Sequence, residues 1–296
     1  MPISAQRMKM KQRRESDSYN IELNQSTYDI LSLIFEFKIA SSTHVTRFFY
    51  QEDYQRYMYM KLRRMWQAGF LESFRHGPDL GKPLYYLLSE RGLKALEKRG
   101  TYDQILIRRY PNTHTILRID SLEHEKEIVD LASLEAKIAN KDIAITFKGE
   151  ISSGAHTFKS DKNIEVFTPD YSARYSYNNQ NITVYTEYER TKKSKDAMLR
   201  KIERYHLHLD YEEQKTALLR IIFETENMEK TFWLNVLCEK PELLQTLKIF
   251  TTHLPLLHAS EQFCEPVYAT DSTVEFSQGN KLSTDISKRI KLFYFL

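Results

Sequence analysis

Gln55-Arg56-Tyr57-Met58-Tyr59-Met60-Lys61-Leu62-Arg63-Arg64-Met65-Trp66-Gln67-Ala68-Gly69-Phe70-Leu71-Glu72-Ser73-Phe74-Arg75 contains a change of period that sets the fold expected of the first third of the chain. Met58, Leu62, Met65 and Trp66 recur at offsets of 4, 7 and 8, the spacing of one helical face. Gly69 stands where a helix commonly ends in a left-handed residue. From Phe70 onward the period falls to that of a strand. A helix over 52–68 followed by a strand is the expectation. Upstream, Ser26 reads as the N-cap of a first helix with the stripe Tyr28, Leu31, Ile34, Phe35 and Ile39. Ser41-Ser42-Thr43-His44-Val45-Thr46 reads as a turn opening a second helix through Phe48 and Phe49. Downstream, Pro83-Leu84-Tyr85-Tyr86-Leu87-Leu88 is a second strand, and the Gly- and Pro-bearing tip at 76–82 joins it to the first. A further helix over 90–99 closes at Gly100.

Three helices followed by a hairpin is the order of a winged helix, expected here over residues 21–112. In that arrangement the third helix enters the major groove of double-stranded DNA and the hairpin tip meets the phosphates. Gln55, Arg56 and Tyr59, in the N-terminal half of the helix, are placed to reach base edges, with Lys61, Arg63 and Arg64 on the same polar surface. Arg75, His76 and Lys82 belong to the wing. A basic arm over 1–20, with Arg7, Lys9, Lys11, Arg13 and Arg14, adds affinity for phosphate. A winged helix used for protein contacts, with a solvated basic face, is the competing reading.

Charge supports this division. Residues 1–115 carry 19 Lys and Arg against 12 Asp and Glu, and the remainder carries 24 against 28. A basic front and a mildly acidic back fit a polyanion-binding module joined to one that uses carboxylates. At 296 residues, 41% hydrophobic and 28% charged, the chain has the length and balance for two ordinary domains. No apolar run is long enough for a membrane span, and the basic N-terminus lacks the apolar core of a signal peptide. Cys238 and Cys264 lie far apart without ligand-spaced neighbours and are expected as reduced thiols in the cytoplasm. Neither a Walker loop nor a dinucleotide fingerprint is present.

Residues 101–112 read as a polar separator, and 113–296 as a second domain. A helix from about 120 to 139 opens it. Strands over 143–147, 164–167 and 182–189 follow, then a helix over 194–209 and a strongly apolar strand over 217–223. A helix over 241–253 and a short strand over 267–269 complete an α/β order. Thr168-Pro169-Asp170 ends one of these strands in this reading, and Glu187 and Glu189, two apart on another, point to one face. If the two strands pair as a hairpin, Asp170 meets both glutamates. Three crowded carboxylates repel unless a cation is present, and Mg²⁺ or Mn²⁺ takes such oxygens. Ion-paired carboxylates on a solvated strand edge are the alternative.

Pro169-Asp170 followed by the acidic-x-acidic triplet Glu187-Tyr188-Glu189 resembles the signature of the PD-(D/E)xK nuclease superfamily. The wider pattern is similar to the replication-relaxation family, which includes plasmid mobilisation relaxases of the MobC and TraX type. It consists of Gly81…Tyr85-Tyr86-Leu87-Leu88-Ser89-Glu90-Arg91-Gly92, then Leu122-Glu123-His124, Pro169-Asp170, Glu187-Tyr188-Glu189-Arg190-Thr191-Lys192 and Lys201…Tyr205. The likeness covers roughly residues 25–210 and implies an α+β chain in which a restriction-endonuclease-like mixed sheet follows the winged helix. It also implies metal-dependent nicking at a plasmid or conjugative transfer origin, with a conjugation coupling protein as a further partner. By the same resemblance Asp170 and Glu187 are metal ligands, and Glu189 takes the slot usually held by lysine. Lys192, Lys195 or Lys201 supplies the missing cation, and His124 and Glu127 handle protons or support the ligands. A non-catalytic replication or mobilisation regulator with a degenerate nuclease-like domain is the alternative.

His206-Leu207-His208 spells the metal motif of a different relaxase class, which uses a tyrosine nucleophile. That motif needs a strand. Leu199, Ile202 and Tyr205 carry helical spacing instead, so the two histidines should diverge. Lys281 to Leu296 reads as a last strand or a docking tail.

Overall fold

The computed structural model describes residues 21–49, 52–75, 83–153, 157–159, 164–166, 168–178, 180–211, 217–234, 248–259, 267–268, 274–276, 282–284 and 290–291. The basic arm, the wing tip with His76 and Lys82, both cysteines, most of the expected helix over 241–253 and the end of the C-terminal tail lie outside them. The chain is mixed α/β and divides into two units, Met1–Lys137 and Ile138–Leu296. Among the described residues no helix is long and apolar enough to cross a membrane.

In the first unit α1 (Gln25–Phe37) begins one residue before the expected cap. Asn24, not Ser26, is the N-cap, and its side chain accepts from the Thr27 N–H. The two-residue strand β1 (Ala40–Ser41) precedes α2 (Ser42–Phe49). A single 3₁₀ turn, Glu52–Tyr54, leads into α3 (Gln55–Gln67). The predicted stripe of α3 is buried, with Met58, Leu62 and Met65 fully enclosed, and Gly69 has φ 83°. Strands β2 (Leu71–Arg75) and β3 (Leu84–Leu88) pair antiparallel, and β1 joins the far side of β3, giving a three-stranded antiparallel sheet in the order β1-β3-β2.

Helix α4 (Glu90–Arg99) is capped by Ser89, whose side chain accepts from the Gly92 N–H, and ends at Gly100 with φ 75°. Gly92 is required by space, because a Cβ there would stand 2.4 Å from the Phe70 carbonyl oxygen.

The expected separator is instead part of this unit. Helix α5 (Gln104–Arg109) occupies its middle, and the aromatic residues flanking it stack on α1, with Phe35 4.0 Å from Tyr102 and 5.6 Å from Tyr110 between ring centroids. The Tyr110 hydroxyl donates to the Lys38 carbonyl and accepts from the Leu88 N–H. After α6 (Thr113–Ile116) comes α7 (Ile119–Ala136), which belongs to the first unit and does not open the second. Polar contacts hold it there. His44 Nε2 lies 2.7 Å from Asp130, Arg47 reaches Ser133 at 3.2 Å, and Lys38 pairs with Glu125. Since His44 Nδ1 accepts from the Ser41 N–H, Nε2 carries the proton offered to Asp130. Burial works against the Asp130 charge, but His44, Arg47 and Lys126 together outweigh it and lower the carboxyl pKa.

The second unit is built on a five-stranded mixed sheet, β10-β9-β8-β7-β4. These strands are β4 (Ala144–Gly149), β7 (Tyr171–Tyr177), β8 (Gln180–Glu189), β9 (Ala217–Phe223) and β10 (Ile249–His253). Between β4 and β7 lie the short helix α8 (Glu150–Ser153) and a small hairpin of β5 (Thr157–Lys159) and β6 (Ile164–Val166). β4, β7 and β8 are antiparallel, while β8, β9 and β10 are parallel.

Two expectations change here. Asp170 precedes a strand, β7, that was not foreseen, and does not end one. Residues 249–253 form a strand, not the end of a helix. That segment is enclosed on both faces, so it carries no alternation. Helices α9 (Lys195–Tyr211) and α10 (Glu226–Phe232) contribute to one apolar core with Tyr185, Leu219, Ile221 and Phe223. Beyond a short helix, Leu254–Ala259, Val267–Tyr268 pairs with Ile290–Lys291 and Val274–Phe276 with Leu282–Thr284.

Candidate functional site

The β7–β8 hairpin places Asp170 against the end of β8. Register pairs Tyr171 with Thr186, and the Asp170 Oδ2 accepts the Tyr188 N–H at 2.7 Å. Glu187 and Glu189 therefore leave β8 on one face beside Asp170, as alternation requires. Both are buried, at 5% and 2% exposure.

Helix α9 completes the cluster. Met198, Ile202, Tyr205 and His208 form its buried stripe, and Lys201 lies on the same side. Lys201 Nζ bridges the two glutamates, 2.5 Å from Glu187 Oε2 and 2.6 Å from Glu189 Oε1. The Tyr205 hydroxyl, one turn further, donates to Glu187 Oε1 at 2.6 Å. Lys193 reaches Glu189 from the loop before α9, at 3.0 Å and 2.8 Å from its two oxygens.

Burial, then the neighbouring Asp170 charge, pushes the Glu187 carboxyl up to about 7, against the pull of Lys201 and Tyr205. Burial opposes the Lys201 charge, but Glu187 and Glu189 prevail and hold its pKa above the usual lysine range. The Tyr205 hydroxyl is raised by burial and then by Glu187, so it stays a donor. The cluster thus has three acidic groups facing two ammonium groups, and it can take up or release a proton near neutrality at Glu187.

Three carboxylates are the hard-oxygen donor chemistry of Mg²⁺ or Mn²⁺. Yet among the described residues no three His, Cys, Asp or Glu side chains are grouped to hold an ion. Lys201 stands between the two glutamates, and all four of their oxygens already meet a donor. A dication taking these ligands must displace that ammonium.

Of the three lysines proposed to supply the cation, Lys201 is the one brought onto both carboxylates. Lys192 and Lys195 are exposed and line a cleft that has Glu189 in its wall. His124 and Glu127 stand on α7, in the first unit. His206 and His208 lie on α9, where they diverge: His208 is fully buried against Tyr185, with Nε2 3.3 Å from its hydroxyl.

In the first unit Gln55, Arg56, Tyr59 and Arg63 are exposed along α3, and Gln55 donates to Thr43 at 3.1 Å. Arg75 is half-buried at the end of β2. Burial, then the neighbouring Tyr59, raises the Tyr86 hydroxyl well above the usual tyrosine range, against the pull of Arg63 and Arg75. Lys61 is turned away from this role, since its ammonium donates to Ser26 at 2.6 Å and burial lowers its pKa.

Sequence reasoning passed over the exposed aromatic groups of this surface. Tyr57 is 56% and Tyr54 51% exposed, and Met60 and Phe49 are exposed too. Their signal was present: Tyr57, Met60 and Arg64 fall on a helical face separate from the buried stripe. No family model, curated protein or solved structure matches this chain.

Proposed function

We propose that the chain is a DNA-processing protein of a mobile element, similar to the replication-relaxation family. In this reading a winged helix binds double-stranded DNA, and a PD-(D/E)xK-like domain nicks one strand at a transfer or replication origin. The observation that carries the reading is Lys201 held between Glu187 and Glu189, with Asp170 adjoining at the end of the same hairpin. Buried ion clusters of this kind contribute little net stability compared with apolar packing, and strongly shifted carboxyl groups gather at functional sites. The first unit supports the DNA partner through the exposed Arg56, Tyr59 and Arg63 of α3, interleaved with aromatic groups.

Asp170, Glu187 and Glu189 would hold Mg²⁺ or Mn²⁺, which supplies an activated water and stabilises in-line displacement at phosphorus. The chain's own groups do the rest. Lys201, which neutralises the carboxylates at rest, would offer positive charge to a phosphate oxygen if an ion were held there. Tyr205 fixes the orientation of Glu187, and Lys193 that of Glu189. A nick of this kind is hydrolytic and leaves no tyrosine adduct. A conjugation coupling protein is the further partner that this reading implies.

One observation favours the alternative, a DNA-binding regulator without catalysis: the glutamate oxygens are fully occupied by Lys201, Lys193 and Tyr205. Nicking of supercoiled origin-bearing plasmid in Mn²⁺ separates the two. Cleavage by the wild type that vanishes in Asp170→Ala supports the nuclease, and equal activity in both proteins removes it.

A further inference from the structure

Large apolar and aromatic side chains left open to solvent are concentrated on one stretch of the first unit. Among the described residues nine are exposed, and five of them, Phe49, Tyr54, Tyr57, Tyr59 and Met60, fall between positions 49 and 60. Such groups scattered singly are ordinary, whereas a cluster marks a contact surface. On α3, Met60 is two residues from the buried Leu62 and so lies on the far side of the helix from the packed stripe. Tyr57 is three residues before it, one turn away on the same outward surface.

The surrounding charge selects the occupant. Arg56 precedes Met60 by four residues, and Arg63 and Arg64 follow it by three and four, the spacings that make neighbours on a helix. All three arginines are exposed, and Gln55–Gln67 contains neither Asp nor Glu. Two copies of so cationic a face repel each other, and a polyanion complements it.

Contact with phosphates needs only the arginines. Tyr57 and Met60 add apolar groups in the N-terminal half of the helix, where base edges are reached. In the major groove of DNA the apolar group on a base edge is the thymine 5-methyl. The deep, narrow major groove of A-form RNA does not admit side chains, which leaves DNA as the polymer.

We propose that Met60 and Tyr57 contact the 5-methyl group of thymine in the major groove and make α3 selective for thymine-bearing duplex. The inference rests on the reading of the first unit as a DNA-binding winged helix and adds the base feature it recognises. Met60 and Tyr57 set specificity, while the arginines around them hold the helix on the duplex.

The probe is the duplex most enriched by the full chain from a random library, made with thymine and again with each thymine in turn replaced by uracil. That exchange removes the methyl group alone. Fluorescence anisotropy should show affinity falling about fourfold at one or more of those positions, the scale of one methyl group's transfer out of water. Met60→Ala/Tyr57→Ala, at two exposed positions outside the core, should bring the thymine and uracil duplexes to equal affinity. Equal affinity of the wild type for all of these duplexes would overturn the proposal and leave DNA binding by the first unit in place. Failure to enrich any duplex would remove both. A thymine preference surviving the double substitution would also overturn it, as would self-association of the full chain in sedimentation that the double substitution abolishes, since the face would then be a protein interface.

Discussion

Replacing Lys201 by methionine is expected to destabilise the second unit by about 3–5 kcal/mol at pH 8, the usual cost of leaving a buried charge without its partner. The Lys201 side chain is 23% exposed, against 7% for Glu187 and 2% for Glu189, so solvent does little to screen the loss. Methionine keeps the apolar stem, which separates the charge effect from a cavity. Lys193 still pairs with Glu189, so the uncompensated charge falls on Glu187.

Protonation relieves it. The Glu187 carboxyl already sits near 7, raised from an ordinary 4.5, and Lys201 is among the influences holding it down. In the variant its pKa climbs further. A carboxyl whose folded-state pKa is raised contributes stability that is full below the unfolded value and lost as pH rises through the folded one. The deficit should therefore stay level below about pH 7, where Glu187 is protonated in both proteins, and grow above it by at most about 1.4 kcal/mol per pH unit. Urea unfolding followed by Trp233 fluorescence, with Trp66→Phe as background in both proteins, reads this unit directly. A loss below about 1 kcal/mol that does not vary with pH would mean a solvent-screened surface pair, and the buried-cluster argument would fail.

Asp170→Asn should lower the Glu187 pKa from about 7, because the Asp170 charge is the second influence raising it; a ¹³C carboxyl titration in the absence of metal that finds no change would break the link. Gly92→Ala puts a methyl group 2.4 Å from the Phe70 carbonyl oxygen and should cost about 1–3 kcal/mol of first-unit stability in thermal unfolding. An unaltered melting curve would mean that α4 shifts freely. Arg56→Ala should weaken binding to specific duplex by about 1–3 kcal/mol if the residue reads a base, whereas unchanged affinity takes it out of the interface.

The first unit was legible because its signals are local. The stripe Met58, Leu62, Met65 and Trp66 and the glycines at 69 and 100 each act within a few residues. What escaped depended on distant partners. Tyr102 and Tyr110 sit in a polar-looking stretch, and it is stacking on the distant Phe35 that ties them to the first unit. Strand β7 did alternate, with Tyr171, Ala173 and Tyr175 inward, but Ser and Arg between them gave it the look of a loop. Residues 249–253 are enclosed on both faces, which removes the period that marks a strand.

In the site, the two-residue spacing of Glu187 and Glu189 foretold their common face, but the hairpin that brings Asp170 beside them is made by β7, the strand after Asp170, and not by a strand ending there. Which lysine would join them was not fixed by order along the chain. Lys192 is nearer in sequence, but Lys201 shares the buried face of α9 with Ile202 and Tyr205, and a lysine on an apolar stripe was the available signal.

Calorimetric titration of Mn²⁺ into the full chain, compared with an Asp170→Ala/Glu187→Ala double variant, tests the central claim most directly. Saturable binding by the wild type, lost in the double variant, is the predicted result. No binding by either protein, with or without duplex DNA present, would contradict the metal-dependent account and leave a DNA-binding regulator in its place.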